Sequence, residues 1–171
     1  METHYIAAIP REEVQKKVRT IQKDIQEKFS IKPDSDTPHI TFKIPFQAEK
    51  SDLERIVEDV NKDFSELRYT INGFGHFDER VLYLDVDPSE EMRRYQDLLV
   101  ETLQNKGYDI HGYDVDKDFH ITIVGSHLSQ HFNDVHSYVK ETYDIHYDDA
   151  LESIDVIEKT ERGKKHTTFT F

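Results

Sequence analysis

The feature that most constrains this chain is a repeated order of residues. Its first part reads Tyr5, four residues, Pro10, an amphipathic stretch, then His39-Ile40-Thr41 and a second amphipathic stretch. Its second part reads Tyr83, four residues, Pro88, an amphipathic stretch, then His120-Ile121-Thr122 and another. Strand–turn–helix units with an early proline are common, but a shared His-Ile-Thr at the matching later strand is not. The order predicts one domain over residues 1–171, built by internal duplication as two interleaved, pseudo-symmetric lobes.

The intervening patterns give the elements. Tyr5 to Ile9 reads as a short buried strand ended by Pro10. Val14, Val18, Ile21, Ile25 and Phe29 recur at helical spacing, and His39 to Phe46 alternates as a strand. Ser51 is the expected cap of a helix with Leu53, Ile56, Val57, Val60 and Phe64 inward. Leu67–Phe77 and Val81–Val86 form an expected hairpin through Asp78-Glu79-Arg80. A helix from Ser89 to Lys106 ends at Gly107, and Phe119–Val124 is the next strand. Phe132, Val135, Val139 and Tyr143 suggest a fourth helix. The chain then gives a strand at Ser153–Lys159, a turn over Glu161-Arg162-Gly163-Lys164 and a strand at Thr167–Phe171. Mixed elements with short strand connections indicate an α+β class.

In an extended strand, residues two apart share a face. His39, Thr41 and Lys43 are therefore expected on one face, with Ile40, Phe42 and Ile44 toward the core. His120 and Thr122 repeat the arrangement. If the lobes face each other, two imidazoles and two hydroxyls converge on one groove. A neutral imidazole takes a proton from an attacking oxygen, and an imidazolium protonates the departing one. The hydroxyls donate to the oxygens on which charge builds. That is the set a metal-independent phosphodiester reaction needs, and no cofactor is expected.

Pro38-His39-Ile40-Thr41-Phe42-Lys43 and Phe119-His120-Ile121-Thr122-Ile123 resemble the paired signature of the 2H phosphoesterases, the superfamily of the 2'-5' RNA ligase-like cyclic phosphodiesterases. The resemblance covers nearly the whole chain. It implies a bilobal α+β fold, each lobe a mainly antiparallel sheet with helices outside, around a central groove. It implies chemistry on 2',3'-cyclic or 2'-5' linked phosphates, with His39 and His120 as the acid/base pair and Thr41 and Thr122 as phosphate binders. Many relatives carry a basic residue shortly after the second motif, where this chain has Val124-Gly125-Ser126; Lys43 is the candidate substitute. Tyr5 and Tyr83, at matching places in the repeat, are candidates for stacking on a base. The expected reaction opens the 2',3'-cyclic phosphate of a nucleotide or RNA end. The alternatives are a phosphodiesterase degrading 2'-5' or cyclic oligonucleotide signals, and a nucleotide-binding module without turnover.

Composition narrows the partners. With 22 Lys+Arg against 35 Asp+Glu the net charge is −13, and no basic stripe suited to long duplex nucleic acid is present. There is no cysteine, which excludes disulfides, thiolate metal sites and a cysteine nucleophile. His127, His131 and His136 lack a metal-binding pattern and are expected in solvent, as is the acidic stretch Asp109–Asp118. No secretory or membrane-spanning segment is readable, so a monomeric cytoplasmic protein with a small nucleotide or RNA-end substrate is the expectation.

Overall fold

Apolar spacing sets the helices, and a computed structural model describing residues 1–171 gives their bounds. The order is β1 (Glu2–Ala8), α1 (Glu12–Phe29), β2 (Ile40–Ala48), α2 (Lys50–Asn61), β3 (Leu67–Phe77) and β4 (Val81–Pro88). It continues with α3 (Glu90–Asn105), β5 (His120–Val124), α4 (Phe132–Thr142), β6 (His146–Leu151), β7 (Ser153–Thr160) and β8 (Gly163–Thr170). Val14, Val18, Ile21 and Ile25 form the buried stripe of α1, and Met92, Tyr95, Leu99 and Leu103 that of α3. The Ser89 hydroxyl caps α3 by accepting from the Met92 N–H at 3.2 Å. Gly107, at φ +99°, follows its end, where few side chains are tolerated.

Two four-stranded sheets result, with strand orders β2-β1-β7-β8 and β5-β4-β3-β6, and every pairing is antiparallel. The chain leaves the first sheet after β2, crosses through α2 into β3, and returns from β6 to β7. One apolar cluster of 37 residues draws on both sheets and all four helices, so the two halves share a core. The fold is α+β and two-lobed, as expected. Each His-Ile-Thr segment belongs to an edge strand, and the two edges, β2 and β5, pack against one another.

Several details differ from the sequence reading. Helix α2 begins at Lys50 with Glu49 at the cap position, and Ser51 sits inside its first turn. Strand β2 ends at Ala48, and the helix cap follows at the next residue. Strand β6 was not foreseen: its His-Tyr-Asp-Asp-Ala-Leu sequence is polar because an edge strand needs few apolar residues. Strand β8 begins at Gly163, directly after a two-residue turn, so Lys164 and His166 are strand residues. The acidic stretch holds a 3-10 turn at Gly112–Asp114 and is not wholly at the surface: Asp114 is 0% exposed and Lys117 5%.

Candidate active site

The local chemistry of both motifs is the same. Ile40, Phe42, Ile121 and Ile123 are fully buried, which turns Thr41 and Thr122 to the opposite face, where both are half-buried. Nδ1 of His39 bonds the Thr37 carbonyl at 2.8 Å, and Nδ1 of His120 bonds the Asp118 carbonyl at 2.8 Å. A carbonyl only accepts, so each Nδ1 carries a proton and each neutral ring keeps its Nε2 lone pair for other work. Burial pushes both imidazoles below their ordinary range, against the carbonyl bonds. Lys164 and His166 further oppose a charge on His39; Lys117 and His39 oppose one on His120.

The sheets are braced where the edges meet. The Gln96 amide of α3 donates to the Phe42 carbonyl of β2 at 2.7 Å, and the Gln22 amide of α1 donates to the Ile123 carbonyl of β5 at 3.0 Å. Each carbonyl belongs to the residue after the motif threonine. Helix α1 follows β1 of one sheet and holds the edge of the other; α3 follows β4 of the second sheet and holds the edge of the first.

Strand register shows what surrounds each threonine. In the first sheet Thr41 stands opposite Ala7, Ala7 opposite Asp155, and Asp155 opposite Thr168. In the second, Thr122 stands opposite Tyr83 and Tyr83 opposite Gly75. The register counterpart of Tyr83 is therefore Ala7, not Tyr5; the equal spacing to proline does not carry through to the pairing. Tyr5 sits 5.7 Å from the His39 ring, is 4% exposed, and has the Lys164 ammonium 5.2 Å from its centroid. Its faces are occupied, and it does not offer the open stacking surface expected from sequence. Tyr83 is half-buried beside Phe77 at 4.6 Å and His120 at 5.0 Å. It lies over Gly75, where any Cβ would overlap its ring.

Lys43 is corrected as well. After the Ala7–Thr41 pair the next one is Ile6–Lys43, so β2 carries an extra residue there. The bulge reverses the alternation, and Phe42 and Lys43 both turn inward. The Lys43 ammonium pairs with Asp114 at 2.9 Å and is 2% exposed, which removes it from the groove face. Asp114 also accepts from the N–H groups of Ile44 at 3.1 Å and His111 at 3.0 Å, tying the loop before His120 to β2. Beside them, burial holds the Lys117 ammonium below the usual lysine range, with Asp114 acting against the shift. At Gly125 a Cβ would fall 2.8 Å from the Asp34 carboxylate, so a loop acid fills the space beside the second motif.

Sequence reasoning missed Lys164, His166 and Asp155, which share the groove face of the first sheet. Their place there follows from β7 pairing with both β1 and β8. His127 and His131 are exposed, while His136 stacks on Phe132 and meets His76 edge-on at 5.2 Å. One group has metal-ligand proximity: Glu2, His4 and Glu158, within 4.8 Å of one another. His4 alternates with Tyr5 and lies on the helix side of the sheet, away from the groove. A cavity of about 410 Å³ is lined by Arg11, Arg68 and Asp149 among others and contains no motif residue. No helix is long and apolar enough to cross a membrane.

Known proteins share this fold. The chain is 24% identical over 97% of its length to "Putative phosphoesterase GWCH70_0799" of Geobacillus sp. (strain WCH70), covering 93% of that protein. The fold is similar to that of TT0787 of Thermus thermophilus, at 17% identity and a TM-score of 0.69, covering 98% of this chain and 94% of that one. It is equally similar to that of E. coli LigT complexed with 3'-AMP, at 15% identity and a TM-score of 0.70, covering 99% and 95%. The family model of the 2'-5' RNA ligase superfamily matches residues 10–158, a span that takes in both His-Ile-Thr strands, and the chain belongs to that superfamily.

Proposed function

We propose that this protein is a phosphodiesterase that opens the 2',3'-cyclic phosphate of a nucleotide or RNA end by histidine–histidine acid–base catalysis. The observation that carries the reading is the matched pair of rings, His39 and His120, each with Nδ1 on a carbonyl and Nε2 unclaimed. One Nε2 accepts a proton from water as its oxygen bonds to phosphorus. The other ring, as imidazolium, gives its Nε2 proton to the ribose oxygen leaving on the opposite side. One P–O bond forms and one breaks, and solvent exchange restores the starting protonation. Thr41 and Thr122 donate to the non-bridging oxygens as charge grows there. Tyr83 and Phe77, beside His120, supply an apolar face for the base.

The test is a substrate panel: a 2',3'-cyclic mononucleotide, a 2'-5' dinucleotide and a cyclic dinucleotide, each with wild type, His39→Ala and His120→Ala. Turnover of the first, surviving excess chelator and lost in both variants, is expected. Turnover confined to the others moves the substrate class to oligonucleotide signals. Binding without turnover makes the protein a nucleotide-binding module.

A further inference from the structure

The groove face of the first sheet carries a third histidine that the acid–base pair does not use. Tyr5 stands opposite Ile157 and Ile157 opposite His166, so these three lie in one row on one face. The neighbouring row is Thr41, Ala7, Asp155 and Thr168. Asp155 is therefore two strand spacings, about 10 Å, from Thr41. Its carboxylate is 5% exposed and accepts from His166 Nδ1 at 2.9 Å, which fixes that ring on the sheet. Lys164, two residues earlier and on the same face, reaches Asp36 at 2.6 Å. The ammonium of Lys159 stands 5.8 Å from the Tyr5 centroid.

On this face Lys164, Lys159 and His166 thus gather beside Asp36 and Asp155, in a chain of net charge −13. The matching row of the second sheet, Thr122, Tyr83 and Gly75, is aromatic and uncharged. The two walls therefore suit different parts of one ligand. We propose that His166 and Lys164, on the strand beyond Asp155, form a second anion subsite apart from the reacting phosphate, and that the preferred ligand is a nucleotide bearing a second phosphate. The position of the reacting phosphate rests on the function proposed above. The Lys164 ammonium and the His166 ring donate to the second phosphate, which takes the place of the exposed Asp36 carboxylate at Lys164.

Equilibrium binding tests this without requiring turnover. Adenosine 3',5'-bisphosphate and 3'-AMP are titrated calorimetrically into wild type, His166→Gln, Lys164→Gln and the double variant. Wild type should bind the bisphosphate at least about tenfold more tightly, as one charge-assisted hydrogen bond provides. Each single variant should shrink that ratio, and the double variant should bring it to about one. Equal affinity in wild type, or a ratio unchanged in the double variant, overturns the subsite. Cyclic-phosphate turnover by the same wild-type sample separates the two readings. A bisphosphate preference without turnover keeps the subsite and sinks the phosphodiesterase; turnover without the preference does the reverse.

Discussion

The Gln96 side chain donates to the Phe42 carbonyl at 2.7 Å, reaching from a helix that follows one sheet to the edge strand of the other. The same amide donates to the Asp114 carbonyl at 2.8 Å. Gln22 makes the reciprocal bond to Ile123 and no other. Edge strands have unpaired main-chain groups, and here those groups set how the motif strands face each other. Gln96→Leu strands two buried carbonyls and Gln22→Leu one, at about 1–3 kcal/mol each. Urea unfolding should show the larger loss in Gln96→Leu, and both should lower kcat. Full kcat in the folded variants would show that the braces serve stability alone.

The Nδ1–carbonyl bonds predict that asparagine is a better probe of His39 and His120 than alanine. The asparagine amide can keep the donor to Thr37 or Asp118 while removing the Nε2 that handles protons. His39→Asn and His120→Asn should each lower kcat by roughly 10²–10⁴-fold with little change in thermal midpoint. Residual activity within tenfold of wild type in either variant would remove that ring from the acid–base pair.

Much of this site was legible in the sequence because strand alternation is local. The motif residues, the core stripes of α1 and α3, and the β3–β4 hairpin follow from periods of two and 3.6. Lys43 did not follow, since a bulge created by pairing with Ile6 resets the alternation. Asp155 and His166 were hidden for a related reason. Their place beside Thr41 depends on β7 joining β1, a pairing between distant parts of the chain that no local pattern encodes. Asp114 looked like one more surface acid; only the tertiary fold brings it to Lys43.

That buried pair gives the third prediction. Lys43→Met leaves the Asp114 carboxyl group in the interior without its ion-pair partner, at a cost of about 3–5 kcal/mol, whereas Lys43→Met with Asp114→Leu should recover much of the loss. Denaturant midpoints of the single and double variants measure this. Because Asp114 anchors the loop that leads into His120, the single variant should also lose kcat. If Lys43 instead bound substrate in the groove, the single variant would raise KM while leaving the midpoint near wild type.

The shifts of the two catalytic candidates fix the direction of the pH response. Burial, then neighbouring cations, lowers both His39 and His120 from 6.5. Catalysis needs one neutral and one protonated ring, a state most populated between the two macroscopic pKa values of the pair. Both values fall below 6.5 in the free protein, so kcat/KM should peak on the acidic side of 6.5. A bound phosphodiester anion favours imidazolium, and kcat should therefore peak at higher pH than kcat/KM. The same shifts act on stability. Below 6.5 the unfolded histidines take up protons that the folded ones resist, so stability is full above 6.5 and declines as pH falls through the lowered range. The denaturant midpoint should drop more between pH 7.5 and 5.5 in wild type than in the double His39→Asn, His120→Asn variant. A kcat/KM optimum well above 7, or equal acid sensitivity in the two proteins, would contradict this account of the groove.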